Sequence, residues 1–278
     1  MIFDAPIPFA EAIAKLAARG IVPSAAGTAR WKLIATALRE RAFFSARVES
    51  ARVLQSMHDY LTDFLEANRM DNGGLVAQGR AEFVADMREL AIREGLGRID
   101  PQTGKIDPVI RENDLTDIRS IRRLELIFDT QTESAQEYGY WQQGQDPDLL
   151  DVFPCQRFIR VRPVRSPRVY HEAALGQIRR KDDVQYWISL NRDFGVPWGP
   201  WGYGSGCGVE DVDREESIAA GVMKEDDVVK PVKLPFNKGL SAGTRDLTGE
   251  ILAALRRTAG GVLADGRLNF EENTRDHE

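Results

Sequence analysis

Residues 157–164 read RFIRVRPV and mark the place where the pattern of the chain changes. Basic and apolar side chains alternate through this stretch, and several of the apolar ones are β-branched, which predicts a strand. Upstream, apolar residues recur at helical spacing as far as residue 142, whereas downstream the segments are short and mixed. The sequence therefore predicts an α+β fold, with a long-helix N-terminal region followed by a small mixed α/β module.

The N-terminal region is predicted to consist of four helical segments. Residues 11–19 form a short amphipathic piece that stops at a glycine, and residues 83–91 form another helix that closes at the next glycines. Residues 29–67 contain almost no helix breaker and carry one apolar stripe, which predicts a long helix. Residues 114–142 predict a single helix of about 45 Å at 1.5 Å per residue.

The C-terminal module is predicted around an irregular loop. Residues 197–208 read PWGPWGYGSGCG, with five glycines, two prolines and three aromatic residues, so we expect no regular element there. Residues 186–190 (YWISL) suit either a second strand or a short helical turn. Residues 246–257 predict the last helix. The expected organisation is a helical arm over 1–145, an α+β module over 146–262 and a polar tail over 263–278.

Composition limits the classes of protein to be considered. The chain has 278 residues, of which 42% are hydrophobic and 29% charged, an ordinary globular balance. A net charge of −6 argues against a protein that coats nucleic acid over its whole surface. Two cysteines cannot build a scaffold of several disulfides, and no apolar run approaches the length of a membrane span. We expect a chain that is made in a cytoplasm and has no membrane partner.

One segment is strongly basic although the chain is acidic overall. Residues 157–181 hold eight Arg and Lys side chains and a single Glu. This density suggests contact with DNA phosphates. The alternative is that neighbouring Asp and Glu side chains neutralise arginines on the outer face of a strand. The candidate DNA contacts are Arg157, Arg160, Arg162, Arg179, Arg180 and Lys181.

Candidate catalytic and metal-binding groups are few. His171 with Cys155 and Cys207 has no ligand pair at the close spacing of a zinc site, so no metal or cofactor is predicted. Ser166, His171 and Glu172 are near one another in sequence but lack the strand–nucleophile–helix turn of a hydrolase. The glycines around Cys207 lack the Gly-Lys-Ser/Thr ending of a nucleotide-binding loop. The chain is therefore predicted not to be an enzyme.

Several short motifs follow one another in an order that resembles a known family. The helical region contains Thr-Glu-x-Ala at residues 132–135, and an Arg-x-x-Arg-x-x-His-x-x-x-Leu-Gly run then covers residues 165–176. A tryptophan, the glycine- and proline-rich loop and a cysteine follow. This order resembles the phage Mu F-like minor head proteins, the phage head morphogenesis family. The residues that carry the resemblance are Thr132, Glu133, Arg165, Arg168, His171, Gly176, Trp187, Trp198 and Cys207.

The resemblance implies a structural protein of a tailed phage or prophage, without catalytic residues. Such a protein would be assembled in the host bacterial cytoplasm into the virion, where it would aid head assembly, DNA packaging or genome delivery. Its implied partners are the portal or other head proteins, with genomic DNA as a further candidate. Two other classes stay open at this point: a DNA-processing hydrolase or transferase-type toxin, and a DNA-binding module that uses residues 157–181.

Overall fold

The computed structural model describes residues 10–24, 26–32, 36–67 and 73–232, together with the short pieces 241–243, 249, 253, 262–264 and 267–269. The fold is α+β, as the sequence predicts. The chain divides into two compact units. Unit 1 comprises Met1–Thr132 and Pro235–Glu278, and unit 2 comprises Glu133–Leu234. The division falls within a helix, whereas the division expected from sequence lies just beyond the end of that helix.

Unit 1 is mainly helical. Its helices and strands up to α6, the helix that continues into unit 2, are α1 Ala10–Ala17, β1 Gly20–Ile21, α2 Thr28–Trp31, α3 Thr36–Arg41, β2 Ala42–Phe43, α4 Ala51–Glu66, α5 Gly73–Arg93 and α6 Ile121–Gln143. Strands β1 and β2 pair in parallel. The hydroxyl of Ser50 caps α4 by accepting the N–H of Val53 at 3.3 Å. The apolar face of α4 is buried, and Phe64 meets the ring of Phe128 from α6 at a centroid distance of 5.0 Å.

Two of the four helical predictions for this region need correction. The uninterrupted helix over 29–67 is wrong, because α2 and α3 are short and β2 follows them directly. Tertiary contacts break the helix: Trp31 stacks on Phe44 at a centroid distance of 3.7 Å, and Val48 forms a β-bridge with Ser24. The helix over 114–142 begins only at residue 121, after turns. Helices near residues 11–19 and 83–91 are confirmed as α1 and part of α5.

Unit 2 contains a three-stranded antiparallel sheet in the order β4–β3–β5. Its elements after α6 are α7 Pro147–Val152, β3 Cys155–Arg160, α8 Val169–Glu172, β4 Ile178–Arg180, α9 Val184–Leu190, β5 Cys207–Val212 and α10 Arg214–Ala219. In the β3–β5 register, Cys155 lies opposite Val212 and Arg160 lies opposite Cys207. The central strand β3 thus pairs with both β4 and β5.

The sequence predictions for unit 2 are largely correct in type and inexact in extent. The strand predicted over 157–164 is shifted towards the N-terminus and ends at Arg160. The helical alternative for 186–190 is correct and the strand alternative is wrong, because the Asp183 carboxylate caps α9 by accepting the N–H of Tyr186. The loop over 197–208 is irregular up to Gly206, and its last two residues open β5.

The segment after residue 232 is described only in short pieces. Strands β6 Ser241–Gly243, β7 Val262–Ala264 and β8 Arg267–Asn269 form a small antiparallel sheet in the order β6–β8–β7. Strand β8 lies inside the predicted polar tail, so the start of that tail is regular structure. Most of the helix predicted over 246–257, and the tail beyond residue 269, lie outside the described residues.

Candidate functional site

The Arg–His–Gly run and the glycine-aromatic loop lie against each other in unit 2. His171, in α8, is fully buried. Its Nε2 lies 2.9 Å from the carbonyl oxygen of Leu190, and its Nδ1 lies 3.6 Å from the Sγ of Cys207. A carbonyl oxygen only accepts, so Nε2 carries the proton and donates it, which leaves Nδ1 to accept from the Cys207 thiol.

The chemistry of this pair is that of two neutral groups. Burial raises the pKa of the Cys207 thiol and lowers the pKa of the His171 imidazole. A catalytic cysteine requires the opposite arrangement, in which a thiolate is stabilised beside an imidazolium and is open to its substrate. Cys207 and His171 instead link β5, α8 and the end of α9 by hydrogen bonds within the core.

Aromatic side chains surround the pair. Phe158 in β3, Trp187 in α9 and Trp201 in the loop belong to one buried cluster with Cys207. The rings of Phe158 and Trp201 are perpendicular with centroids 5.4 Å apart, and those of Trp187 and Trp201 are 5.7 Å apart. The indole N–H of Trp187 donates to the carbonyl oxygen of Arg180 at 2.9 Å, so its polar end is satisfied.

Arg168 ties the loop to the residues that precede it. Its guanidinium donates to the Asp193 carboxylate at 3.0 Å and to the carbonyl oxygen of Tyr203 at 3.1 Å. A Cβ on Gly202 would lie 2.8 Å from the Asp193 carboxylate and 3.0 Å from the guanidinium. The close passage of the loop backbone over this ion pair therefore needs a residue without a side chain.

The start of the loop packs on the second half of α6. Trp198 contacts the rings of Tyr138 and Trp141 at centroid distances of 5.2 and 4.7 Å. The N–H of Gly199 donates to the carboxylate of Glu137. Burial, together with the neighbouring Glu133, raises the pKa of Glu137 from 4.5 to about 7, although the Gly199 hydrogen bond acts in the opposite direction.

Sequence reasoning missed part of this site. Glu137 could have been found from its helical spacing, because it is one turn from Glu133 and on the same side of α6. Asn191 had no signal in the sequence: it is fully buried and its amide donates to the carbonyl oxygen of Trp198 at 2.5 Å. Trp201 is one of three aromatic residues in the loop, and no sequence signal distinguishes it from the others, although it packs on both Phe158 and Trp187.

The remaining four residues of the motif are Thr132, Glu133, Arg165 and Gly176. Thr132 is buried in α6, where its hydroxyl donates to the carbonyl oxygen of Phe128 at 2.9 Å. Glu133 is the next residue of that helix and lies one turn before Glu137. The N–H of Gly176 donates to the carbonyl oxygen of Phe158 at 2.8 Å, which anchors the turn before β4. Arg165 is exposed on the surface.

The basic segment is largely neutralised by carboxylates. Arg157 donates to Glu210 at 2.5 Å, and Lys181, which is buried, lies 3.0 Å from Asp211. Further contacts have the same character: Arg160 with Glu172, Arg157 with Glu216, Arg168 with Asp193, and Arg180 with Asp182 and Asp227. Arg179 lies over the ring of Tyr186. The alternative of paired surface arginines therefore describes most of the candidate DNA contacts.

Among the described residues, no group of three or more His, Cys, Asp or Glu side chains could hold a metal ion. Within the same residues, no helix has the length and apolar character that crossing a membrane requires. Comparisons with protein-family models, curated proteins and solved structures found no match to this chain.

Proposed function

We propose that this chain is a structural minor head protein of a tailed phage or prophage, which contributes to head assembly, DNA packaging or genome delivery. The observation that carries the proposal is the burial of four of the motif residues. His171, Trp187, Trp198 and Cys207 are each at most 9% exposed and contribute to the core of unit 2. Residues used in this way support a shape that other proteins can recognise, and they leave substrate no access to the Cys–His pair.

The proposed partners are the portal or other head proteins, and the proposed location is the virion. Carboxylates neutralise most of the arginines in residues 157–181, so the surface offers less charge to DNA than the sequence suggests. Protein contacts are therefore favoured over genomic DNA as the main interaction. Among the residues that the structure describes, no observation favours the hydrolase or the transferase-type toxin.

The first experiment asks whether the chain is part of the particle. The gene would carry an affinity tag in the prophage that encodes it, and induced particles would be purified on density gradients. We expect the tagged chain to occur in full particles at a constant ratio to the portal protein, and to co-purify with portal rings from procapsids. Particles of normal number and infectivity from a strain that lacks the gene would contradict the proposal.

A second experiment separates a structural histidine from a catalytic one. We expect His171→Ala to lower the free energy of unfolding by about 3 kcal/mol, because it leaves a cavity and unpaired partners. We expect Cys207→Ala, which removes only a weak donor, to cost about 1 kcal/mol. If purified protein turned over DNA or a nucleotide, and His171→Gln abolished the turnover at unchanged stability, the enzyme class would be correct instead.

A further inference from the structure

An exposed ridge follows β3 in unit 2. We define the valine–arginine ridge as residues 161–169, VRPVRSPRV. Its terminal valines are unusually exposed, at 60% for Val161 and 85% for Val169. The base of the ridge is held in place, because the N–H groups of Val161 and Arg162 lie 3.0 and 3.2 Å from the carbonyl oxygen of Gly206. The ridge therefore presents apolar side chains to solvent from an anchored backbone.

The ridge also carries uncompensated positive charge. Arg160, which precedes the ridge, and Arg168 within it form ion pairs with Glu172 and Asp193. Arg162 and Arg165 are exposed, and within the described part of the chain neither side chain has an ion pair or hydrogen bond. Two free guanidinium groups thus stand between the exposed valines, in a chain of net charge −6.

Helix α7 presents the complementary combination. Its exposed aliphatic side chains are Leu149, at 43%, and Val152, at 52%. Asp148 and Asp151 are exposed beside them, and although Asp151 pairs with Arg214, its side chain is 79% exposed. We call these four residues the acidic face of α7. It offers two carboxylates and two aliphatic groups where the ridge offers two guanidinium groups and two valines.

The two surfaces lie at opposite ends of the central strand. Asp151 bonds to Arg214 at the end of the sheet where Cys155 lies opposite Val212. The ridge leaves β3 at the other end, where Arg160 lies opposite Cys207. Six residues of strand separate these ends by roughly 17–20 Å. The ridge and the acidic face of one copy are therefore too far apart to meet each other.

We propose that copies of this chain associate head to tail, with the valine–arginine ridge of one copy docked on the acidic face of α7 of the next. Arg162 and Arg165 face Asp148 and Asp151 in this contact, and the valines cover Leu149 and Val152. Head-to-tail addition leaves one ridge and one acidic face open at the ends, so the association grows into linear chains or closes into rings. The contact does not depend on the head-protein role, so either proposal can fail alone.

A second copy fits these observations better than a nucleic acid does. Phosphate contacts use the guanidinium groups but leave the exposed valines without a partner. Long-range repulsion between an acidic protein and DNA also opposes binding through only two cations. The acidic face of α7, in contrast, matches both the charge and the apolar character of the ridge.

Sedimentation velocity of the full chain over a range of concentrations tests the proposal. We expect association that weakens as salt is raised, since exposed ion pairs are screened within a Debye length of about 10 Å at 0.1 M. The double variants Arg162→Glu/Arg165→Glu and Asp148→Arg/Asp151→Arg should each weaken self-association by at least ~10-fold. Mixing the two variants should restore it, because each then meets the opposite charge.

A control variant separates this contact from a general effect of charge. Arg93→Glu/Arg122→Glu alters two exposed arginines of unit 1 and changes the net charge by the same amount as Arg162→Glu/Arg165→Glu. It should associate like the unaltered chain. Thermal unfolding of every variant checks that the fold is kept. Three results would overturn the proposal: a chain monomeric at all concentrations, reversals that leave association unchanged, or a mixture that fails to restore it. Duplex DNA binding lost in Arg162→Glu/Arg165→Glu, without self-association, would assign the ridge to nucleic acid.

Discussion

Glu137 is subject to two opposing influences in unit 2. The N–H of Gly199 stabilises its charged form, whereas burial and the Glu133 carboxylate disfavour that form more strongly and raise its pKa to about 7. A carboxyl group whose folded pKa exceeds its unfolded pKa destabilises the fold when it is ionised. The cost is absent below the unfolded value near 4.5, grows as the pH rises, and is complete above about 7.

Glu137→Gln is predicted to stabilise the chain at neutral and alkaline pH. The amide keeps an oxygen that can accept the Gly199 N–H and carries no charge, so we expect a gain of about 2 kcal/mol at pH 8 and almost none at pH 4.5. Urea unfolding at both values measures the difference. Glu133→Gln should give a smaller gain, because it removes only the neighbouring charge. A gain that did not depend on pH would show that Glu137 is ionised without cost.

For single residues, the sequence indicated which side chains belong to the site better than it indicated their hydrogen-bond partners. The run around His171 and the cysteine of the loop could be linked by the order of the motifs, and the structure places these two side chains in contact. Asn191 and Glu137 could not be linked to the loop, because their bonds go to backbone groups of residues 198 and 199. Backbone N–H and carbonyl groups occur at every residue, so a sequence does not indicate which of them a side chain will meet.

The glycines before β5 provide a matched pair of substitutions. Gly204 and Gly206 both have a left-handed backbone, with φ of 60° and 63°. A Cβ on Gly204 meets nothing within 4 Å, whereas a Cβ on Gly206 would lie 2.6 Å from the carbonyl oxygen of Arg162. The two positions thus differ in crowding and not in backbone conformation.

Gly206→Ala is therefore predicted to be much more harmful than Gly204→Ala. The left-handed conformation alone costs alanine about 1 kcal/mol, which is the expected loss at Gly204. At Gly206 we expect a loss of about 3 kcal/mol, because the backbone of the ridge must also move. Thermal or urea unfolding of the two variants measures both values. Equal losses of stability would mean that the backbone at Arg162 moves away from the new side chain without cost.

Arg123 holds the turns before α6 in place. It is 6% exposed, and its guanidinium donates to the carbonyl oxygen of Leu115 at 3.1 Å and to the hydroxyl of Ser45 at 3.0 Å, and also to the carbonyl oxygen of Ala46. Burial lowers its pKa to about 10, with a further contribution from Arg47, so the group stays charged at neutral pH. A cation bonded to neutral acceptors joins two segments that are distant in sequence.

Arg123→Met is predicted to loosen this connection. We expect a loss of about 3 kcal/mol, since the buried Ser45 hydroxyl and two backbone carbonyl groups lose their charged donor. Arg122→Met changes the adjacent, exposed arginine and should alter stability by no more than about 0.5 kcal/mol. Hydrogen exchange should show faster exchange at residues 107–120 only in the Arg123 variant. The same protection in both variants would mean that other contacts hold the turns.

Helix prediction failed at the elements where distant contacts compete with local periodicity. Residues 29–67 have good helical spacing, but the pairing of β2 with β1 and the stack of Trp31 on Phe44 stabilise a broken path. Residues 114–120 fit the helical pattern as well, yet the Ser120 hydroxyl donates to the carbonyl oxygen of Asp114 at 2.6 Å and favours turns. The type of α4 and β3 was predictable because their patterns agree with their burial.

The distribution of charge over the chain limits any interaction with DNA. The ion pairs of residues 157–181 leave two free arginines on the ridge, so we predict weak binding to duplex DNA. The logarithm of the binding constant should fall with the logarithm of salt concentration at a slope no steeper than about −2. Fluorescence anisotropy with a labelled duplex measures it. A slope of about −5 or steeper would show that the ion pairs open to release the arginines.

Both cysteines of the chain are buried in unit 2, at opposite ends of the β3–β5 pair. Cys207 belongs to the aromatic cluster, and Cys155 packs with Val212 and Met223. Each thiol is hidden from alkylating reagents until its own end of the sheet opens. Peptide mass spectrometry can measure the rate of iodoacetamide labelling at each cysteine separately. The cysteine that is labelled faster thus marks the end of the sheet that opens more often in the native state.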